Sequence, residues 1–90
     1  MNFANAINVC INEKKRIARA GWNGPAQYLV DRAGYPQGVA IDAKTAQEMG
    51  KQAGEIIVFG AYVVIVAVDG SVHPWTPSQG DMHACDWEVV

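Results

Sequence analysis

The sequence has few of the residues that build disulfides, metal sites or phosphate-binding loops. Its 90 residues include two cysteines, Cys10 and Cys85, and two histidines, His73 and His83. These side chains show none of the paired spacings typical of zinc sites, and the opening residues do not resemble a secretory signal. A P-loop, a Gly-x-Gly-x-x-Gly motif and a Gly-x-Ser-x-Gly elbow are also missing from the sequence. We therefore predict no disulfide, no metal and no cofactor.

The chain also lacks an excess of positive charge and a long apolar run. Its formal net charge is -2, whereas DNA- and RNA-binding domains are usually basic. The longest apolar stretch, Ile56 to Val68, is interrupted by Gly60 and is too short to cross a bilayer. We expect neither a nucleic acid nor a membrane as a partner, and we expect an intracellular protein.

The sequence is short and rich in hydrophobic residues. Ninety residues fit a single domain, which we place at residues 1–90. A domain of this size buries only about 60% of the surface of its unfolded chain, so its core alone gives marginal stability. Half of the residues are hydrophobic. Because disulfides and metals are not expected, we predict that self-association into a homo-oligomer supplies the missing stability.

Helical spacing and capping residues predict three short helices. Apolar residues recur at helical spacing from Phe3 and predict a helix that ends near Asn12. Asp42 is placed to cap a second helix, which Gly50 would end. Ser78 is followed three residues later by an acid, and this capping-box spacing predicts a third helix.

Segments rich in β-branched residues predict strands between and after the helices. Extended segments are predicted at residues 16–20, 27–31, 56–59, 62–68, 71–75 and 87–89. The density of valine and isoleucine over 56–68 indicates buried strands, and Asp69-Gly70 predicts a hairpin turn. Residues 34–38, with two glycines and a proline, are predicted to form a loop. The expected fold is α+β, a small antiparallel sheet with an N-terminal helix and short additional helices.

The three tryptophans are the most unusual feature of the sequence. Trp22 lies between glycines and Trp75 between prolines, so their indole faces can stay accessible on stiff loops. An indole face can stack on a nucleobase, which is worth about 1–3 kcal/mol in nucleic-acid binders. Arg19 and the loop amides at Asn23 are suited to phosphate oxygens. Core packing is the alternative for Trp22 and Trp75, and it is the favoured interpretation for Trp87, whose neighbours alternate as in a strand.

Catalytic groups are scarce by comparison. His83, or Asp81 paired with Asp86, could serve a hydrolase, but none of them lies in a recognisable catalytic motif. The simpler interpretation of Asp81 is a helix cap beside Ser78. Cys10 is predicted to lie on the apolar face of the first helix, as a core residue rather than a nucleophile.

These residues resemble a known family. The matching positions run from Phe3 and Ala6 through residues 16–24, 34–38 and 75–78 to Asp81, Ala84 and residues 86–90. Their order and spacing are similar to those of the Thoeris anti-defence type 2 proteins. These are small phage and prophage proteins that sequester the cyclic ADP-ribose-type signal of bacterial Thoeris immunity.

The resemblance implies a binding protein and not an enzyme. It implies an α+β homotetramer that holds glycocyclic ADP-ribose intact between protomers, in the cytoplasm of the infected bacterium. Some relatives are also thought to bind cyclic dinucleotides at separate sites. The ligand-binding residues that it implies are Trp22 and Trp75 for stacking, and Asn23, Ser78 and Asp81 for hydrogen bonds. Arg19 is added as a phosphate partner on chemical grounds. A cyclic-nucleotide hydrolase and a phage structural or interaction protein are the alternatives.

Overall fold

Capping side chains set the start of each helix in the computed structural model, which describes residues 1–22 and 26–90. The helices are α1 (Phe3–Asn12), α2 (Ala43–Met49) and α3 (Gln79–His83). Asn2, Asp42 and Ser78 each accept a hydrogen bond from a backbone N–H in the first turn of the helix that follows, which satisfies donors that a helix end leaves free. None of the helices in these two segments is long and apolar enough to span a membrane.

The strands form two antiparallel sheets. They are β1 (Ile17–Arg19), β2 (Tyr28–Arg32), β3 (Tyr35–Ala40), β4 (Ile56–Phe59), β5 (Tyr62–Val66), β6 (Val72–Pro74) and β7 (Trp87–Val89). A five-stranded sheet has the order β6-β5-β2-β1-β7, and β3 pairs with β4 in a separate two-stranded ribbon. The predicted α+β class, with an N-terminal helix and antiparallel pairing, is therefore confirmed.

The core lies between α1 and one face of the five-stranded sheet. Ala6 and Cys10 on α1 meet Ile17, Leu29 and Trp87 on the sheet, and all five are at most 1% exposed. The predicted core position of Cys10 is confirmed, and burial raises the pKa of its thiol, which leaves it a poor nucleophile near neutral pH. We call the sheet surface under α1 the inner face.

The predicted loop at residues 34–38 is wrong, because most of it is strand β3. Gly34 and Gly38 have positive φ angles of 68° and 85°, which is the feature that suggested a turn. Gly34 directly precedes β3, and Gly38 lies where the register of β3 with β4 shifts, between Tyr35 and Val39. Pro36 is tolerated because, within residues 1–22 and 26–90, β3 pairs with β4 alone and so forms an edge.

The prediction that residues 56–68 form buried strands holds only in part. Val64 on β5 is 3% exposed, but Ile56 and Val58 on β4 are 63% and 65% exposed. The difference arises because β5 lies within the five-stranded sheet, whereas β4 belongs to the ribbon, which no third strand of the described residues extends. Apolar density predicted the strands correctly but not which faces would be covered.

Candidate functional site

Predicted ligand-binding residues gather on the inner face, beside α1. Arg19 ends β1, and Trp22 lies three residues later, where its backbone N–H donates to the Arg19 carbonyl at 3.0 Å. Trp75 follows β6 directly and Ser78 is the N-cap of α3. Asp81 lies in the first turn of α3. Asn23, the remaining predicted ligand-binding residue, lies outside the described residues.

A polar cluster forms around the Arg19 guanidinium. Its Nε donates to Asp86 Oδ1 at 2.9 Å, and its Nη1 donates to Asp81 Oδ1 at 3.2 Å. Asp81 also closes the predicted capping box, in which it accepts from the Ser78 N–H at 3.0 Å and its own N–H donates to Ser78 Oγ. The Asp81 side chain is only 15% exposed, against 42% for Asp86. One arginine and one helix cap therefore fix the Asp81 carboxylate in place.

The surroundings of Asp81 favour its charged form. Partial burial opposes ionisation, but hydrogen bonds from Ser78 and the neighbouring Arg19 outweigh it, so the pKa of Asp81 is lowered. A carboxyl group with a lowered pKa is a poor general acid near neutral pH, and its hydrogen bonds also weaken it as a base. Asp81 is therefore better suited to accepting hydrogen bonds than to transferring protons.

An aromatic cluster adjoins the polar one. Trp87 is 1% exposed, and its ring lies 5.3 Å from that of Trp22 and 6.0 Å from that of Trp75, both edge to face. Trp22 and Trp75 are 6.5 Å apart between centroids, and Phe3 of α1 packs against Trp75 and Trp87 at 6.1 and 5.6 Å. The predicted core position of Trp87 is confirmed. Trp22 and Trp75 are half-buried, so each combines core contacts with a solvent-facing part.

Trp87 connects the two clusters. Its indole Nε1 donates to the Asp81 carbonyl at 2.9 Å, and Trp87 pairs with Arg19 in the register of β1 and β7. The half-buried indoles of Trp22 and Trp75 are thereby held in one assembly with the Arg19, Ser78 and Asp81 polar groups. Sequence reasoning assigned Trp87 to the core but did not identify this bridging role. The strand-like alternation around residue 87 gave no sign of it.

The assembly offers aromatic faces and hydrogen-bonding groups, but little positive charge. Arg19 is shared between Asp81 and Asp86, so these three side chains carry one net negative charge at neutral pH. That arrangement suits neutral, hydroxyl-rich or amine-bearing parts of a ligand better than its phosphates. In the two described segments, no group of three or more His, Cys, Asp or Glu side chains is placed to hold a metal ion. His83 lies exposed in the last turn of α3.

A separate pocket of about 250 Å³ lies where the ribbon joins the five-stranded sheet. Its lining residues are Arg32, Ala33, Gly34, Tyr35, Phe59 and Tyr62. Arg32 on β2 pairs with Tyr62 on β5, and Leu29 pairs with Ile65, three residues away along each strand. Leu29 and Ile65 face the core. Because side chains alternate along a strand, Arg32 and Tyr62 point to the opposite face of the sheet, away from α1. No sequence motif indicates this pocket, because its arginine and three aromatic rings are dispersed along the chain.

Comparison with known proteins gives one consistent result over the whole length. A family model described as the Thoeris anti-defense 2-like domain matches residues 1–90. The chain is also similar to a protein named Thoeris anti-defense 2 from Bacillus phage SP01, with 34% identity over 93 residues. That alignment covers 100% of this chain and 94% of the phage protein.

Proposed function

The chain belongs to the Thoeris anti-defense 2-like family, and we propose on that basis that it binds the cyclic ADP-ribose-type signal of Thoeris immunity and sequesters it intact. Membership implies a phage protein that acts against Thoeris. The protein then works in the cytoplasm of the infected host, by mass action. It lowers the free signal when its Kd lies below that of the immune receptor.

The observation that carries this proposal is the joining of the two clusters on the inner face. Two half-buried indoles, Trp22 and Trp75, both contact the ring of Trp87, and Trp87 in turn bonds the backbone of Asp81, whose carboxylate is fixed beside the Ser78 hydroxyl. A cyclic nucleotide needs a flat apolar surface for its base and acceptors for its ribose hydroxyls. In this arrangement one indole stacks on the base and the other, inclined at 71° to the first, contacts the edge of the base or the ribose. Asp81 and Ser78 bind hydroxyl or amino groups. Because the surrounding contacts already fix these groups, little freedom is lost on binding.

The negative charge around Asp81 determines where the phosphates lie. Arg19 is engaged by two carboxylates, so its main role is to orient Asp81. The N–H groups of Arg19 that point to neither carboxylate give a secondary contact with the ligand. The phosphates lie farther from Asp81, where groups of another protomer contact them. A site completed between protomers agrees with the homotetramer that the family resemblance implies.

The required affinity is larger than stacking alone provides. Nanomolar capture needs about -12 kcal/mol, whereas a stacked base supplies about 1–3 kcal/mol. Hydrogen bonds to charged groups contribute about 1.5–3 kcal/mol each, so a fixed Asp81 with two or three further polar contacts closes much of the gap. Chemistry on the ligand is not needed for this affinity, and the lowered pKa of Asp81 makes that carboxyl group a poor general acid near neutral pH.

The test is recovery of the ligand after capture. Protein and glycocyclic ADP-ribose are mixed at micromolar concentration, unbound ligand is removed, and the protein is heat-denatured. We expect ligand of unchanged mass, in a fixed ratio to the protein that does not change over hours of incubation. Ligand heated without protein is the control. A cleaved product that accumulates beyond one equivalent per site would show that the protein is a hydrolase.

The pocket where the ribbon joins the five-stranded sheet, which we call the second pocket, is a candidate site for the cyclic dinucleotides that some relatives are thought to bind. An arginine and three aromatic rings, among them Tyr35 and Phe59 in edge contact at 6.3 Å, suit a base and an adjacent phosphate. About 250 Å³ is less than the usual 300–1,000 Å³ of a small-molecule site. The pocket would therefore take one half of such a ligand, while the other half lies along the surface or against a partner.

Two measurements test the second pocket. A cyclic dinucleotide should bind with the same Kd whether or not glycocyclic ADP-ribose already saturates the protein. Arg32→Ala should weaken that binding about tenfold or more, the value of a charged hydrogen bond, and should leave the first ligand unaffected. Arg16→Ala is the matched control, because Arg16 is an exposed arginine stacked over Tyr28 at 4.8 Å and does not line the pocket. Equal losses in both variants would contradict this assignment.

A further inference from the structure

The two carboxylates that bind Arg19 are held in different ways. Asp86 accepts from Arg19 Nε at 2.9 Å, and Asp81 accepts from Nη1 at 3.2 Å. The Asp81 carboxylate also accepts from the Ser78 N–H at 3.0 Å, so the cap of α3 holds it in place even without Arg19. Among the described residues, the Asp86 carboxylate has Arg19 as its one hydrogen-bond partner. Asp86 is therefore the carboxylate that a competing anion can displace.

The backbone places Asp86 at the border of the polar and aromatic clusters. Arg19 pairs with Trp87 in the register of β1 and β7, and the Ala20 N–H donates to the Asp86 carbonyl at 3.0 Å. Asp86 is thereby held beside the end of β1, where the Arg19 side chain begins. Trp87, the next residue along the chain, contacts both half-buried indoles. The negative charge of Asp86 thus belongs to the same assembly as the proposed ligand site.

Asp86 covers the Nε edge of Arg19 on the side of the cluster that is open to solvent. Its side chain is 42% exposed, against 15% for Asp81 and 29% for Arg19. A guanidinium binds phosphate best through two parallel N–H groups in a planar fork. A phosphate that enters the fork at Nε must displace the Asp86 carboxylate and then lie next to a like charge.

The charge on a phosphate determines how strongly Asp86 opposes it. The phosphates of a cyclic ADP-ribose-type ligand are bridging groups within a ring, each with a single negative charge. ADP has the same base and ribose but ends in a free phosphate, and such a group carries about -1.5 to -2 charges near pH 7. A free terminal phosphate is also unhindered and can reach the fork of an arginine. Repulsion by Asp86 therefore acts more strongly on ADP than on the cyclic ligand.

We propose that Asp86 is a specificity-determining residue, which occupies Arg19 and excludes nucleotides with a free terminal phosphate from the site. This inference rests on the proposed function, because it concerns the site that binds the cyclic ligand. With Arg19 open, the site would fill with the adenine nucleotides that every cell contains. A like charge placed against the wrong ligand is a usual source of specificity, because it costs that ligand more than the right one.

The test compares the Kd of ADP with that of glycocyclic ADP-ribose by isothermal titration calorimetry on the full chain. Asp86→Asn keeps the size of the side chain and removes its charge. The ratio of the ADP Kd to the glycocyclic ADP-ribose Kd should fall at least about tenfold, because ADP gains a charged hydrogen bond to Arg19. This gain should shrink at high ionic strength, since partly exposed charges are screened by salt. Asp86→Ala should act in the same way and guards against a folding defect in the first variant.

Two control variants separate the charge of Asp86 from its packing. Asp86→Glu keeps the negative charge and should keep the native ratio. Glu88→Gln removes the same charge elsewhere, because Glu88 is exposed and pairs with Ala18, on the opposite face of the sheet from Trp87. It should also keep the native ratio. Far-UV circular dichroism verifies that each variant is folded.

The outcomes separate this inference from the proposed function. A lower ratio with Asp86→Asn and Asp86→Ala, and a native ratio with Asp86→Glu and Glu88→Gln, supports exclusion by Asp86. An unchanged ratio in the first two variants, or an equal fall with Asp86→Glu, overturns it. If the native protein does not bind glycocyclic ADP-ribose, the proposed function fails and the ADP titrations decide alone. Tighter ADP binding by Asp86→Asn then supports the role of Asp86, and unchanged ADP binding overturns it.

Discussion

Replacement of Trp87 by alanine should lower the free energy of unfolding by about 3–5 kcal/mol. Trp87 is 1% exposed and contacts the rings of Phe3, Trp22 and Trp75. Alanine would leave a cavity at the centre of this cluster and would remove the hydrogen bond to the Asp81 carbonyl. Native domains are stable by only about 5–15 kcal/mol, so the loss is a large fraction of the total.

Urea denaturation followed by far-UV circular dichroism measures this loss without depending on tryptophan fluorescence. Trp87→Phe separates the two contributions, because phenylalanine keeps most of the packing and lacks the indole N–H. We expect a smaller loss for phenylalanine than for alanine. If Trp87→Ala stayed within 1 kcal/mol of the native protein, Trp87 would not be the centre of the core.

Local signals in the sequence were sufficient for the helices and the hairpin. Asp42 and Gly50 were assigned to the ends of α2 from residue type alone, and both occupy those positions, with Gly50 at a φ of 67°. Ser78 and Asp81 form the predicted capping box. Each of these features depends on side chains within four residues of one another, so no knowledge of the remaining fold was needed.

Features that depend on distant pairing were missed. Glycine and proline in residues 34–38 favour a turn locally, but pairing with β4 makes most of this segment a strand. In the same way, the apolar run at 56–68 predicted strands without showing that β4 would leave the five-stranded sheet. Tertiary contacts override local propensity in both cases.

In the candidate site, too, residue types could be predicted from the sequence, whereas contacts between distant segments could not. Six ligand-binding residues were predicted: Trp22, Asn23, Trp75, Ser78, Asp81 and Arg19. Asn23 lies outside the described residues, and the other five lie together in the two linked clusters. Pairing of both Asp81 and Asp86 with one arginine was not foreseen, because residues 19 and 81–86 are far apart in the sequence. That pairing is the basis on which we propose that Arg19 positions Asp81, while its contact with a phosphate stays a prediction.

Loss of both accessible indoles should weaken capture of glycocyclic ADP-ribose at least about 30-fold. Stacking contributes about 1–3 kcal/mol per base, and loss of about 2 kcal/mol in total already corresponds to 30-fold in Kd. The variant is Trp22→Leu with Trp75→Leu, because leucine keeps an apolar side chain against the core and removes the π face. Isothermal titration calorimetry measures the affinity, and thermal denaturation verifies the fold.

The matched double variant, Trp22→Phe with Trp75→Phe, determines what the indoles contribute. Both rings are half-buried against Trp87 and Phe3, so any truncation disturbs packing as well as the ligand contact. Phenylalanine is also smaller than tryptophan but retains a stacking face, so it should preserve most of the affinity that leucine loses. Equal losses of affinity with phenylalanine and leucine would mean that the tryptophans only pack behind the ligand site and do not stack on the ligand. A gap of tenfold or more between them would identify stacking as the binding interaction, because hydrophobic packing alone distinguishes the two side chains only weakly.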